Sequence, residues 1–146
     1  MKFLFLLLFV GCTQVNAVPP EVKPLPKPQP ATHKNFLEIH SDAEYAAKMN
    51  EINSVKGWRY IECFSASWCG PCQQLAPIYK KVADQNKHVL FLKIDIDACP
   101  QAAKINRVTN IPCIVLKEKH YVGLTTEANL KSVVGETFPL NQKVRK

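Results

Sequence analysis

Two cysteines, Cys69 and Cys72 in Ala66-Ser67-Trp68-Cys69-Gly70-Pro71-Cys72-Gln73-Gln74-Leu75-Ala76-Pro77, are the residues of this chain best suited to chemistry. A pair at this spacing can cycle electrons, hold a metal or staple a loop. Structural zinc needs four ligands, often as two pairs at characteristic spacing. Here there is one such pair, and His33, His40, His88 and His120 are scattered without paired spacing. A disulfide closing so small a loop removes little unfolded-state entropy, and a staple leaves unexplained why the pair opens a helix. Redox exchange explains that placement. Just before a first helical turn, the Cys69 sulfur lies near unpaired amides and the positive helix end. These favour the thiolate and can bring a cysteine pKa from about 8.5 to around 7 or below. Cys72, one turn behind, can then attack a mixed disulfide on Cys69. Gly70 permits close approach of a partner backbone, and Pro71 fixes the turn.

The elements around the pair follow from hydrophobic periodicity. Leu75, Ile78, Tyr79, Val82 and Ala83 form one apolar helical face, with Gln73, Gln74, Lys80, Lys81 and Asp84 on the others. Pro77 interrupts this helix and is expected to kink it. Residues 58–66 read as a buried strand ahead of the pair, and 88–95 as a second strand covered on both faces. Residues 34–39 form a short strand with Phe36 and Ile39 as inward anchors. Ser41 and Glu44 match a capping box opening a helix over 42–54, with Ala46, Met49 and Ile52 at helical spacing. A short helix over 100–105 follows, then a tightly joined antiparallel pair, 113–118 and 120–124. Thr126 caps a last helix that turns Leu130, Val133 and Val134 inward. The order β-α-β-α-β-α-β-β-α implies an α/β fold, a sheet with helices on both faces.

The chain of 146 residues is sized for one domain with a real core. Its net charge of +7 is spread without a basic stripe, which indicates a solvated surface and not nucleic-acid binding. Residues 1–17 read as a signal peptide: Lys2, an apolar run from Phe3 to Val10, then Val15-Asn16-Ala17 where a peptidase cleaves. Within the same segment Phe9-Val10-Gly11-Cys12 is similar to a lipobox, whose cysteine becomes a lipid anchor. Either route exports the protein and makes disulfide chemistry permissible. A membrane is a partner only if Cys12 is lipidated. The proline-rich residues 18–32 form a semi-rigid spacer, and residues 33–146 the globular domain.

Trp68-Cys69-Gly70-Pro71-Cys72 after a buried strand, with Pro77 in the following helix, resembles the thioredoxin family over about 34–135. Asn110-Ile111-Pro112 is similar to the family's loop ending in a cis-proline opposite the cysteine pair. The resemblance implies a thioredoxin-like mixed central sheet and a protein-disulfide reductase without a cofactor. In it Cys69 attacks the substrate disulfide and Cys72 resolves the intermediate. Trp68 shields the pair, and Ile111 and Pro112 dock an extended substrate segment. Lys93 falls at the family's lysine on the strand behind the site. The implied partners are proteins with disulfides and an upstream electron donor, membrane-bound in an exported setting.

Cys63 departs from the family pattern, occupying the position of a buried aspartate that moves a proton to or from the resolving cysteine. Cys113 follows the cis-proline where threonine is usual. In the family strand order these two lie on neighbouring antiparallel strands. They are either buried small hydrophobes or a second disulfide, which a Cα separation above about 7 Å excludes. Cys99, before Pro100, reads as a semi-exposed thiol at a helix start, able to pair between chains. The function expected is reduction of protein disulfides outside the cytosol. The alternative is a binding module or copper carrier on the same fold.

Overall fold

The structure, a computed structural model, describes residues 35–140. The expected signal peptide with Cys12 and the proline-rich spacer lie outside these residues. Nine elements follow in the expected order: β1 Phe36–Ile39, α1 Asp42–Ser54, β2 Tyr60–Ser65, α2 Gly70–Gln85, β3 Leu90–Asp95, α3 Pro100–Ile105, β4 Cys113–Leu116, β5 Lys119–Val122 and α4 Glu127–Thr137. The strands form one mixed sheet in the order β1-β3-β2-β4-β5. β3 pairs parallel with β1 and β2, while β4 pairs antiparallel with β2 and β5.

Each face of the sheet carries its own core. Ile61, Cys63, Phe91, Ile114 and Leu116 pack under α2 and α4, against Leu75, Tyr79, Val82, Leu130 and Val134. Phe64, Leu92, Ile94, Cys113 and Val115 pack on the other face, against Tyr45 and Ile52 of α1 and Ala102 of α3. Strands covered on both sides read as continuous apolar runs, the pattern seen at β2 and β3. Burying a side chain such as Phe91 or Leu92 completely contributes about 1.5–3 kcal/mol. β1 is divided between the cores: Ile39 is buried in one and Phe36 packs, half-buried, against the other.

Local signals match local structure, with two differences in α1. The Ser41 hydroxyl accepts the Glu44 N–H at 3.1 Å, but Glu44 reaches back to the His40 N–H, at 2.9 Å, and not to that of Ser41. Ala46 faces solvent, and the inward position belongs to Tyr45. The reason is polar: the Tyr45 hydroxyl donates to Glu62 Oε1 at 2.8 Å and accepts from Asn106 Nδ2 at 2.7 Å. Glu62 is 3% exposed on β2, and a buried carboxyl requires such a partner.

Helix α3 has a borrowed start. Its N-cap, Cys99, makes no side-chain cap, and the Asp42 carboxylate of α1 instead accepts the Gln101 and Ala102 N–H groups at 3.2 and 2.9 Å. Cys99 is not semi-exposed as expected. It is fully buried, its thiol 3.7 Å from the Ile39 carbonyl, because the start of α3 packs into the core that holds Ile39, Leu92 and Ile94. Helix α2 runs unbroken through Pro77, which faces solvent.

Candidate active site

Four residues, Ala66 to Cys69, carry the chain from the end of β2 into α2. Cys69 is the N-cap, with extended backbone, and its sulfur accepts the Cys72 N–H at 3.2 Å. Gly70 and Pro71 take the first helical positions, where a proline's missing N–H has no intrahelical partner to lose. Cys69 and Cys72 form a disulfide with Cα atoms 5.2 Å apart, and a Cβ at Gly70 would meet nothing within 4 Å. The space beside Gly70 is open, while the two cysteines themselves are buried.

Ala66 and the two cysteines form a small apolar cluster against which Ile96 and Ile111 pack, half-buried. The Ile111–Pro112 peptide is cis, and the Pro112 carbonyl accepts the Gly123 N–H at 2.8 Å. Residues distant in sequence thus meet at one end of the sheet: the pair at the start of α2, the Ile111–Pro112 loop before β4, and Ile96 after β3. Trp68 is 67% exposed and its indole donates to Asp97 Oδ2 at 2.7 Å. The Asp97 N–H is itself bonded to Asp95 Oδ1 at 2.9 Å. Gln73 Nε2 donates to the Ser67 carbonyl at 2.7 Å and holds the loop before the pair.

Behind the pair, Cys63 stands on the α2 face of the sheet, opposite Lys93 on β3 and Ile114 on β4. Burial, with a smaller contribution from Cys113, pushes its thiol up to about 12, although Lys93 acts in the opposite direction. Burial also raises Cys113. The anticipated alternative of a Cys63–Cys113 disulfide is not what the structure holds: both are unpaired thiols. The register supplies the reason. Cys63 pairs with Ile114 and Phe64 with Cys113, so the two sulfurs point to opposite faces of the sheet. Strand adjacency alone does not make a bond when the Cβ vectors diverge.

Several residues at the site are not apparent from motif spacing. Asp97 anchors Trp68, and Glu38 forms an ion pair with Lys93 at 3.2 Å. Glu62 and Tyr45 hold a polar network behind the sheet. The available signal was an acidic residue inside an otherwise apolar strand, Glu38 in β1 and Glu62 in β2. Chemically, the arrangement suits two-thiol exchange. A helix N-terminus and the Cys72 amide stabilise negative charge on the Cys69 sulfur, and Cys72 lies within bonding reach of it.

Comparison with known proteins agrees with this geometry. The family model described as Thioredoxin matches residues 37–136. A thioredoxin of Echinococcus granulosus is 36% identical over 87 residues, 56% of this chain and 80% of that protein. A putative thioredoxin 2 of Streptomyces coelicolor is 35% identical over 121 residues, 79% of this chain and 80% of the relative. Among solved structures, Trichomonas vaginalis thioredoxin superposes with a TM-score of 0.57 at 26% identity, over 71% of this chain and 98% of that one.

Proposed function

From the premise that the chain belongs to the thioredoxin family and is a thiol–disulfide oxidoreductase, we propose that it works as a reductant of protein disulfides outside the cytosol. The observation that carries the reading is Cys69 at the N-cap of α2, its sulfur receiving the Cys72 N–H. The Cys69 thiolate attacks a substrate disulfide and releases one substrate thiol. Cys72 then attacks Cys69 of the mixed disulfide, releases the second thiol and leaves the pair oxidised. Ile111 offers its backbone to an extended substrate segment, since the Pro112 carbonyl is engaged by Gly123. Gly70, Pro71 and Trp68 form the rest of the contact surface. A donor dithiol, membrane-bound in an exported setting, returns the pair to the reduced state.

The export reading rests on the apolar start of the chain and its small residues at 15–17. Intact mass of the mature protein tests it, with cleavage after Ala17 expected and a diacylglycerol on Cys12 the alternative. Insulin reduction driven by a small dithiol tests the chemistry: Cys69→Ser is expected to abolish turnover and Cys72→Ala to accumulate mixed disulfides. Full turnover in Cys69→Ser removes the mechanism. The reduction potential tests the direction, and a value more oxidising than about −180 mV would make the protein an isomerase or oxidant.

A further inference from the structure

The strand register sets three residues in one row across the α2 face of the sheet: Cys63 on β2, Lys93 on β3 and Glu38 on β1. The carboxylate absent at Cys63 is thus present two strands away, joined to Lys93 by an ion pair of 3.2 Å. Toward the active end of the sheet the next row places Ser65 opposite Asp95. Between β1, β3 and the start of α2 lies a cleft of about 160 Å³ whose walls include Cys72, Ser65, Lys93, Glu38, Asp95 and His40. Its wall is apolar over most of its area but carries the polar groups of Glu38, Lys93, Asp95 and Ser65. It is large enough to admit water, and Cys72 lines it.

Resolution requires Cys72 to lose a proton, and the Cys63 thiol is a poor base for it. Burial keeps that thiol protonated, at about 12, across the physiological range. We propose that the cleft is the proton route of Cys72, with the Glu38 carboxylate, held by Lys93, accepting the proton through water. The proposal rests on the dithiol reading above and concerns its second step. In that step the Cys69–substrate disulfide breaks and the Cys69–Cys72 disulfide forms. Cys72 is oxidised, the substrate sulfur is reduced, and Cys69 stays at the disulfide level throughout. The Cys72 proton passes to Glu38, and the departing thiolate takes one from solvent.

Each titratable group facing the cleft has a place in this account. Asp95 Oδ1 is already engaged, accepting the Asp97 N–H at 2.9 Å. His40 stands at the outer edge, 3.8 Å from Glu38. Lys93 orients Glu38 through their ion pair, and α2 contributes only Cys72 as a titratable side chain in the cleft wall.

The test is stopped-flow reaction of the fully reduced protein with Ellman's reagent between about pH 6 and 9. A first aromatic thiolate leaves when Cys69 attacks, and a second when Cys72 resolves. Glu38→Gln is expected to leave the first phase unchanged and slow the second at neutral pH by about tenfold. That is less than the 10²–10⁴ of a directly bonded base, because water shares the transfer. The deficit should close as pH rises and hydroxide takes over. Lys93→Met is expected to slow the second phase with the same pH dependence, and Asp95→Asn to leave it intact. An unchanged second phase in Glu38→Gln, or a loss confined to Asp95→Asn, overturns the route through Glu38. Loss of the first phase in the unaltered protein would overturn the dithiol reading itself. Glu38 is half-exposed, and equal thermal melts of the variant and parent separate a kinetic effect from a folding one.

Discussion

Substituting Glu62 by Gln is expected to flatten the pH dependence of folding stability. Burial raises the Glu62 carboxyl from 4.5 to about 7, the Tyr45 hydroxyl bond acting the other way. A difference of that size between folded and unfolded chains is worth about 3 kcal/mol. Between those two values the folded protein keeps a proton that the unfolded chain has released. The stability from neutral Glu62 is therefore complete below about pH 4.5, erodes as pH rises, and is gone once the folded group ionises above about 7. Gln fills the same space and keeps a carbonyl to accept from Tyr45, yet never ionises. The variant should match its parent near pH 4.5 to within about 1 kcal/mol, and exceed it by about 2–3 kcal/mol near pH 8. Urea unfolding of the oxidised proteins at several pH values measures both, and the difference cancels every group they share. Stability curves that stay parallel across the range would refute the reasoning.

Asp42→Ala removes the acceptor of two α3 amides and is expected to cost about 1–2 kcal/mol, read as a lowered urea midpoint at unchanged slope. Asn35 is 8% exposed, and its side-chain amide donates to the Ala83 carbonyl at 2.5 Å, near the end of α2. Asn35→Ala should cost about 0.5–1.5 kcal/mol by removing that hydrogen bond, the Ala83 carbonyl keeping the Asn86 N–H, visible in thermal melts. Cys63, Cys99 and Cys113 are at most 4% exposed, and burial raises all three thiols. In the folded protein they should resist iodoacetamide and react only after denaturation, as peptide mapping would show.

The architecture was legible because both faces of the sheet are covered. Continuous apolar runs at β2 and β3, a 3.6-residue face after Cys72, and caps at Ser41 and Thr126 each follow from nearest-neighbour physics. The site was legible where its parts share one segment, as Trp68 to Cys72 do. What depends on strand register was not. Whether Cys63 and Cys113 face one another changes with a one-residue offset, which no local pattern encodes. The Cys63–Lys93–Glu38 row joins three strands separated by helices, so nothing in the spacing announces it. Cys99 and Tyr45 show the same limit. A short helix pressed on the sheet buries a thiol that composition leaves open, and a buried carboxyl on another element selects Tyr45 over Ala46.

Helix α1 holds α3 at both ends, through Asp42 at its first amides and through Tyr45 to Asn106 just past its last turn. A helix of six residues has too little cooperativity to persist by itself. The two helices should therefore open together as one unit of hydrogen exchange, with α3 amides protected only as long as those of α1. Because the chain leaves α3 directly for the loop that carries Ile111 and Pro112, that loop is expected to loosen when the α1–α3 hydrogen bonds are lost. A perturbation at the α1–α3 seam would reach the loop as a change in its dynamics, with the cysteine pair itself left in place.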